Sequence, residues 1–81
     1  MNEIRAKVRG FVVENFLFGN EDGLKDDTSF LDEGIIDSTG ILEMVSFLEE
    51  EFNIHVEDEE LVPENLGSID NVVAYLTKKI G

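Results

Sequence analysis

No cysteine occurs among the 81 residues, which excludes a disulfide framework, a thiolate zinc site and thiol chemistry from the chain itself. Bases are scarce: six Lys and Arg stand against 19 Asp and Glu, a formal net charge of −13. Neutralising phosphates needs Lys and Arg, so a nucleic-acid binder is excluded, and docking on anionic membranes is disfavoured for the same reason. Apolar runs are short, so neither a transmembrane helix nor a signal peptide is expected, and the cytoplasm is the expected location. The one histidine, His55, would have to serve any Ser-His-acid triad, and it reads instead as a structural or surface residue. Ser38 lacks the glycine-flanked strand–turn–helix setting of a nucleophile elbow, because Ile36 stands where the first glycine belongs. Calcium loops fail too: counted from Gly23 or Gly34, the position that needs Glu is Ser29 or Gly40.

What is present suits a small globule, with 42% apolar and 31% charged residues. The length allows one domain, residues 1–81, with a folded surface of roughly 4,900 Å² and a small core but no deep enclosed active site. Charge is unevenly placed. Residues 1–19 hold three bases, Arg5, Lys7 and Arg9, against Glu3 and Glu14, whereas the nine acids from Glu43 to Glu64 meet no Lys or Arg. Such a stretch is either a solvated surface or a docking face for a basic partner.

Hydrophobic periodicity predicts helices only. Ile4, Val8, Phe11, Val12 and Phe16 recur at helical spacing near residues 3–17, with Asn2 available as a cap. A loop then runs to Ile36, tied down by Phe30, Leu31, Ile35 and Ile36. Asp37 or Ser38 caps a second helix through about Phe52, whose buried stripe is Ile41, Val45, Leu48 and Phe52, widened by Met44 and Phe47. A short helical turn is expected at Asp58–Val62, stopped by Pro63. Ser68 caps a last helix with Ile69, Val72, Val73, Leu76 and Ile80 inward, Lys78 and Lys79 in its final turn and Gly81 just beyond. The expected fold is an all-α, small four-helix bundle of three main helices and one short one.

One segment remains as a candidate site: Phe30-Leu31-Asp32-Glu33-Gly34-Ile35-Ile36-Asp37-Ser38-Thr39-Gly40. It places a serine in the first turn of a helix, after an apolar-anchored loop. Ordinary capping explains that much. A helix N-terminus also suits a phosphate attached to the serine. Thr39, Glu43, Ser46 and Glu50 share one face of that helix, opposite the apolar stripe, with Glu49 adjacent.

Asp37-Ser38 at the start of the second helix, the acid-rich run Ile41-Leu42-Glu43-Met44-Val45-Ser46-Phe47-Leu48-Glu49-Glu50-Glu51-Phe52, the helix order and the length together resemble the acyl carrier protein family over nearly the whole chain. That resemblance implies a four-helix bundle, 4′-phosphopantetheine on Ser38 beside Asp37, and acyl or aminoacyl groups held as thioesters on the arm. The absence of cysteine fits, because the reactive sulfur would be supplied by the cofactor, and the carrier is expected not to be a catalyst itself. Its partners would be a phosphopantetheinyl transferase, a loading ligase and downstream acyl-transfer enzymes, docking on Thr39, Glu43, Ser46, Glu49 and Glu50 of a monomer. Thr39, where many fatty-acid carriers have an apolar residue, makes the motif look more like the freestanding aminoacyl carriers, D-alanyl carriers among them. Glu60-Leu61-Val62-Pro63-Glu64-Asn65-Leu66 likewise looks like specialised biosynthetic carriers. The residues alone leave a second function open, an acidic helical adaptor whose Ser38 merely caps a helix. A small calcium-responsive protein is the weakest alternative.

Overall fold

The computed structural model of the chain describes residues 2–21 and 23–80, and Asn2 by its backbone only. The cap expected from the Asn2 side chain and the terminal Gly81 therefore lie outside the described residues. In chain order come α1 (Asn2–Phe16), α2 (Ser38–Phe52), a 3₁₀ turn (Asp58–Glu60), α3 (Pro63–Leu66) and α4 (Ile69–Ile80). No strand occurs among the described residues. The four α-helices form the expected bundle, with α4 packed on α1 and α3, and the exposed surface is 5055 Å².

The core is one cluster. Val8, Val12 and Val13 of α1, Met44 and Leu48 of α2, Leu66 of α3 and Ile69, Val72, Val73, Tyr75 and Leu76 of α4 are buried in it. Phe11, Phe16, Val45, Phe47 and Phe52 are half-buried against it. The inward line of α2 thus runs through Gly40, Met44 and Leu48, rotated from the stripe expected around Val45. The cause is α1. The Phe11 ring stacks on Phe47 with centroids 4.2 Å apart, and a Cβ on Gly40 would lie 2.8 Å from the Phe16 ring.

Local chemistry explains the ends of the helices. Phe18 and Gly19 both take left-handed backbone, φ 52° and 88°, and close α1 with the Gly19 N–H donating to the Val13 carbonyl at 2.9 Å. Asn53, also left-handed, ends α2 and donates its N–H to the Glu49 carbonyl. Pro63 does not stop a helix but opens one. At the first helical position its missing N–H costs nothing, and Val62 before it is extended as a residue preceding proline prefers. The turn expected at Asp58–Val62 is the shorter 3₁₀ turn. Ser68 caps α4, its Oγ accepting from the Asn71 N–H at 3.2 Å. Ile80, expected inward, is exposed at the end of the helix.

Residues 17–21 and 23–37 form the expected loop. Leu24, Phe30 and Ile36 are buried plugs, Ile35 packs against the core, and Leu31, expected to help, is instead exposed. Two α1 arginines hold the loop from the side. Arg5 Nη1 reaches Asp26 at 2.9 Å and Asp70 at 2.6 Å. Arg9 reaches Glu21 at 3.0 Å and Asp26 at 3.2 Å, and donates to the Leu24 carbonyl at 2.8 Å.

Candidate functional site

The loop delivers Ser38 to the surface by burying the residues before it. Phe30 N–H donates to the Gly67 carbonyl at 2.9 Å, and the N–H groups of Ile35 and Ile36 both return to the Phe30 carbonyl, at 2.8 and 3.2 Å. Gly34, at φ 69°, lets the chain reverse between them. With Phe30 and Ile36 fully buried, Asp37 emerges extended and caps α2, its Oδ1 accepting from the Gly40 N–H at 2.8 Å. Asp37 rather than Ser38 is the cap. Ser38 is the first helical residue, exposed, and among the described residues nothing engages its hydroxyl. Gly40 is required here, because a side chain would collide with Phe16 and Ile36 and push the start of α2 off its anchor.

One turn along α2, Ile41 joins Leu31, Leu61 and Pro63 in the walls of a small apolar cleft of about 80 Å³. Leu61, on its wall, directly follows a polar hub at Glu60. Glu60 Oε1 accepts from Lys79 Nζ at 2.6 Å, from the Tyr75 hydroxyl at 3.0 Å and from the Glu57 N–H at 2.9 Å. The bond to Lys79, backed by the Glu57 N–H, holds the Glu60 carboxyl down to about 2. Burial and then the Glu60 carboxylate push the Tyr75 hydroxyl up. Sequence reasoning missed Glu60 as a hub. The only local signal is the Glu57/Glu60 capping box, which does not point to residues 15 and 19 positions away.

Thr39, Glu43, Ser46 and Glu50 are exposed along α2, sharing the face expected of them. Glu49 is half-buried and engaged within the chain. Its Oε2 accepts from the Val56 N–H at 2.9 Å and lies 3.3 Å from His55 Nδ1. His55 is exposed, with Nε2 3.4 Å from Glu57. The bases of α1 are used internally: Arg5 and Arg9 in the loop and Lys7 on Glu51 at 3.1 Å. Glu43 and Glu50 have no base paired with them among the described residues.

Residues 12–76 match the family described as the phosphopantetheine attachment site. The chain is 38% identical over 76 residues to the acyl carrier protein of Bdellovibrio bacteriovorus, covering 94% of each. It is 39% identical over 80 residues to that of Akkermansia muciniphila, covering 99% of this chain and 96% of that one. The chain belongs to the acyl carrier protein family. A more distant relative is the probable acyl carrier protein PigG of a Serratia species, 28% identical over 75 residues, covering 93% of this chain and 86% of that one. A chain in a crystal structure described as that of an FAD-dependent dehydrogenase superposes with a TM-score of 0.76 at 22% identity, covering 85% of this carrier and 97% of itself, and shows the fold alone. The carrier's cofactor is 4′-phosphopantetheine, and its function is to carry acyl groups on it. No helix among the described residues is long and apolar enough to cross a membrane. Of the carrier and the adaptor left open by the residues, the family supports the carrier.

Proposed function

We propose that Ser38 is the residue that bears the arm, and that residues 1–81 act as one carrier domain, a cytoplasmic monomer that is not itself a catalyst. The observation that carries this is the division of labour at the start of α2. Asp37 holds the cap, which leaves the neighbouring hydroxyl exposed and unengaged. The positive end of the helix favours the negative charge of a phosphodiester there. Once attached, the arm supplies a terminal thiol on which the cargo is held as a thioester. The protein's own residues present the hydroxyl, keep the helix start rigid through Phe30, Ile36 and Gly40, and offer an acidic docking face.

A serine hydroxyl is a weak nucleophile at neutral pH, so its activation falls to a phosphopantetheinyl transferase using coenzyme A and a divalent metal. Loading falls to an acyl- or aminoacyl-activating ligase, and use of the cargo to separate acyl-transfer enzymes. Exposed Thr39, Glu43, Ser46 and Glu50 suit basic surfaces on these partners. Glu49 contributes charge to that face while bracing the end of α2. Thr39 after the serine, together with the small apolar cleft, favours an aminoacyl or other small cargo. Intact-protein and peptide mass spectrometry after incubation with coenzyme A and a broad-specificity transferase tests the assignment. One phosphopantetheine on the Ser38 peptide is expected. No mass gain, or an arm on Ser29, Ser46 or Ser68, overturns it.

A further inference from the structure

Six phenylalanines occur in the chain, and five of them face inward. Phe30 is fully buried, and Phe11, Phe16, Phe47 and Phe52 pack against the core. Phe18 is 90% exposed. Its backbone is also left-handed, at φ 52°, a region that glycine enters freely and a bulky side chain only under strain. A helix closed in this way ordinarily has glycine at that position, and here Gly19 comes one residue later. Among the described residues no other ring pairs with Phe18. The turn that carries it is nevertheless well tied. The Leu17 and Gly19 N–H groups both donate to the Val13 carbonyl, at 3.2 and 2.9 Å, and the Asn20 N–H donates to the Leu17 carbonyl at 3.0 Å. The ring is thus held out on a hydrogen-bonded backbone rather than left on a slack chain. Two neighbours place this knob at the Ser38 end of the bundle. The Phe16 ring, two residues before it, bears on the Gly40 position in the first turn of α2. Leu17, directly before it, lines a groove with Glu33 and Ile35 of the loop that delivers Ser38.

We infer that Phe18 is an apolar anchor for the enzyme that modifies Ser38, its ring entering a phenyl-sized pocket on the phosphopantetheinyl transferase. The inference rests on the Ser38 reading and extends the contact surface from α2 to the end of α1. A transferase must bring the donor phosphate to the Ser38 hydroxyl itself, so its body meets this end of the bundle. Later enzymes react at the far end of the arm. An exposed phenyl already fixed in place loses little freedom on docking, and its burial removes a large apolar surface from water. Two other occupants fit less well. A second copy of the chain offers the apolar cleft beside Ile41, whose volume of about 80 Å³ is well under the roughly 150 Å³ of a cavity that holds benzene. An anionic membrane is repelled by a net charge of −13.

The test uses the full-length chain and a broad-specificity phosphopantetheinyl transferase with coenzyme A and magnesium. Phe18→Gly removes the ring and suits the left-handed backbone, so it should not lower the denaturant midpoint. Its KM for arm attachment should rise about fivefold or more with kcat within about twofold, as for loss of an aromatic anchor made on binding. Phe18→Leu keeps an apolar side chain on the same strained backbone and should fall between the two. Affinity without chemistry is read on Ser38→Ala chains in which Phe18 is kept or changed to Gly, and the second should bind the transferase about fivefold more weakly. An unchanged KM and affinity in Phe18→Gly, or a loss of stability that accounts for the change, overturns the anchor. So does a dimer of the wild-type chain in sedimentation that Phe18→Gly dissolves, or retention on phosphatidylglycerol vesicles that depends on Phe18. A chain that gains the arm on Ser38 equally well with and without the ring sinks the anchor alone. One that binds the transferase through Phe18 but carries no arm on Ser38 sinks the Ser38 assignment alone.

Discussion

Residues 17–37, which lead into α2, and residues 53–68, which lead out of it, differ in what holds them. The first connection is plugged into the core by Leu24, Phe30 and Ile36 and clasped by Arg5 and Arg9. In the second, Val56, Leu66 and Ser68 are buried, and position depends on Glu60 gathering Lys79, Tyr75 and the Glu57 N–H. A segment anchored by apolar burial is indifferent to pH, whereas one anchored on a carboxylate is not. The connection that carries Ser38 therefore keeps its apolar plugs when acid weakens the ion pairs of Arg5 and Arg9. The side that walls the cleft depends on an ionised hub.

The comparison breaks most completely if the plugs are removed. Phe30→Ala should cost about 3–5 kcal/mol in denaturant melts and free the backbone that ties Phe30 to Gly67. A loss under 1 kcal/mol would mean that the loop is not anchored by burial. The clasp should matter less. Arg9→Ala should cost about 1 kcal/mol, since part-exposed ion pairs are worth little singly and this one also binds a carbonyl. High salt should narrow the difference from wild type.

The second connection is probed by acid. The Glu60 carboxyl is held at about 2 when folded, below its ordinary value of 4.5. Its stabilisation is therefore fully present above about pH 4.5 and is lost as pH falls through 2. Protonation also relieves self-repulsion in so acidic a chain, so the total pH profile mixes two opposed effects. The difference between wild type and Glu60→Gln isolates the hub. The Tm gap should be widest above pH 5 and should close towards pH 2, and a gap independent of pH would show that the ionised form of Glu60 does not pin the turn.

The smallest effect is expected at the site itself. Ser38→Ala should change stability by less than about 0.5 kcal/mol, as for an exposed residue without partners, while abolishing attachment of the arm. Asp37→Ala should cost about 1 kcal/mol through the lost cap. If the two costs are reversed in denaturant melts, the cap has been assigned to the wrong residue of the pair.

Much of the molecule was legible in its one-dimensional pattern. The helices follow from apolar residues at intervals of three and four, and the start of α2 from Asp-Ser after a loop rich in turn residues. Those signals act over one or two turns of chain, where spacing alone decides which residues share a face. The Asp37–Ser38 pair was legible for the same reason, although the choice of cap within it needed the 2.8 Å bond to the Gly40 N–H. Pro63 was misread because proline both ends and begins helices, and the extended Val62 before it settles which.

Composition, charge, helix periodicity and the motif around Ser38 determined by themselves that this is an acidic helical bundle resembling a carrier. The tertiary structure alone decided which way α2 turns its stripe, because Phe16 and Phe11 of α1 press on Gly40 and Phe47. It alone decided that Glu60 rather than its acidic neighbours is the hub, and that Glu49 braces the chain while Glu43 and Glu50 stand unpaired among the described residues. Acids in a row look alike in sequence. Only the bases brought to them across 12 to 65 residues of chain by folding decide which are spent inside the molecule and which remain for a partner.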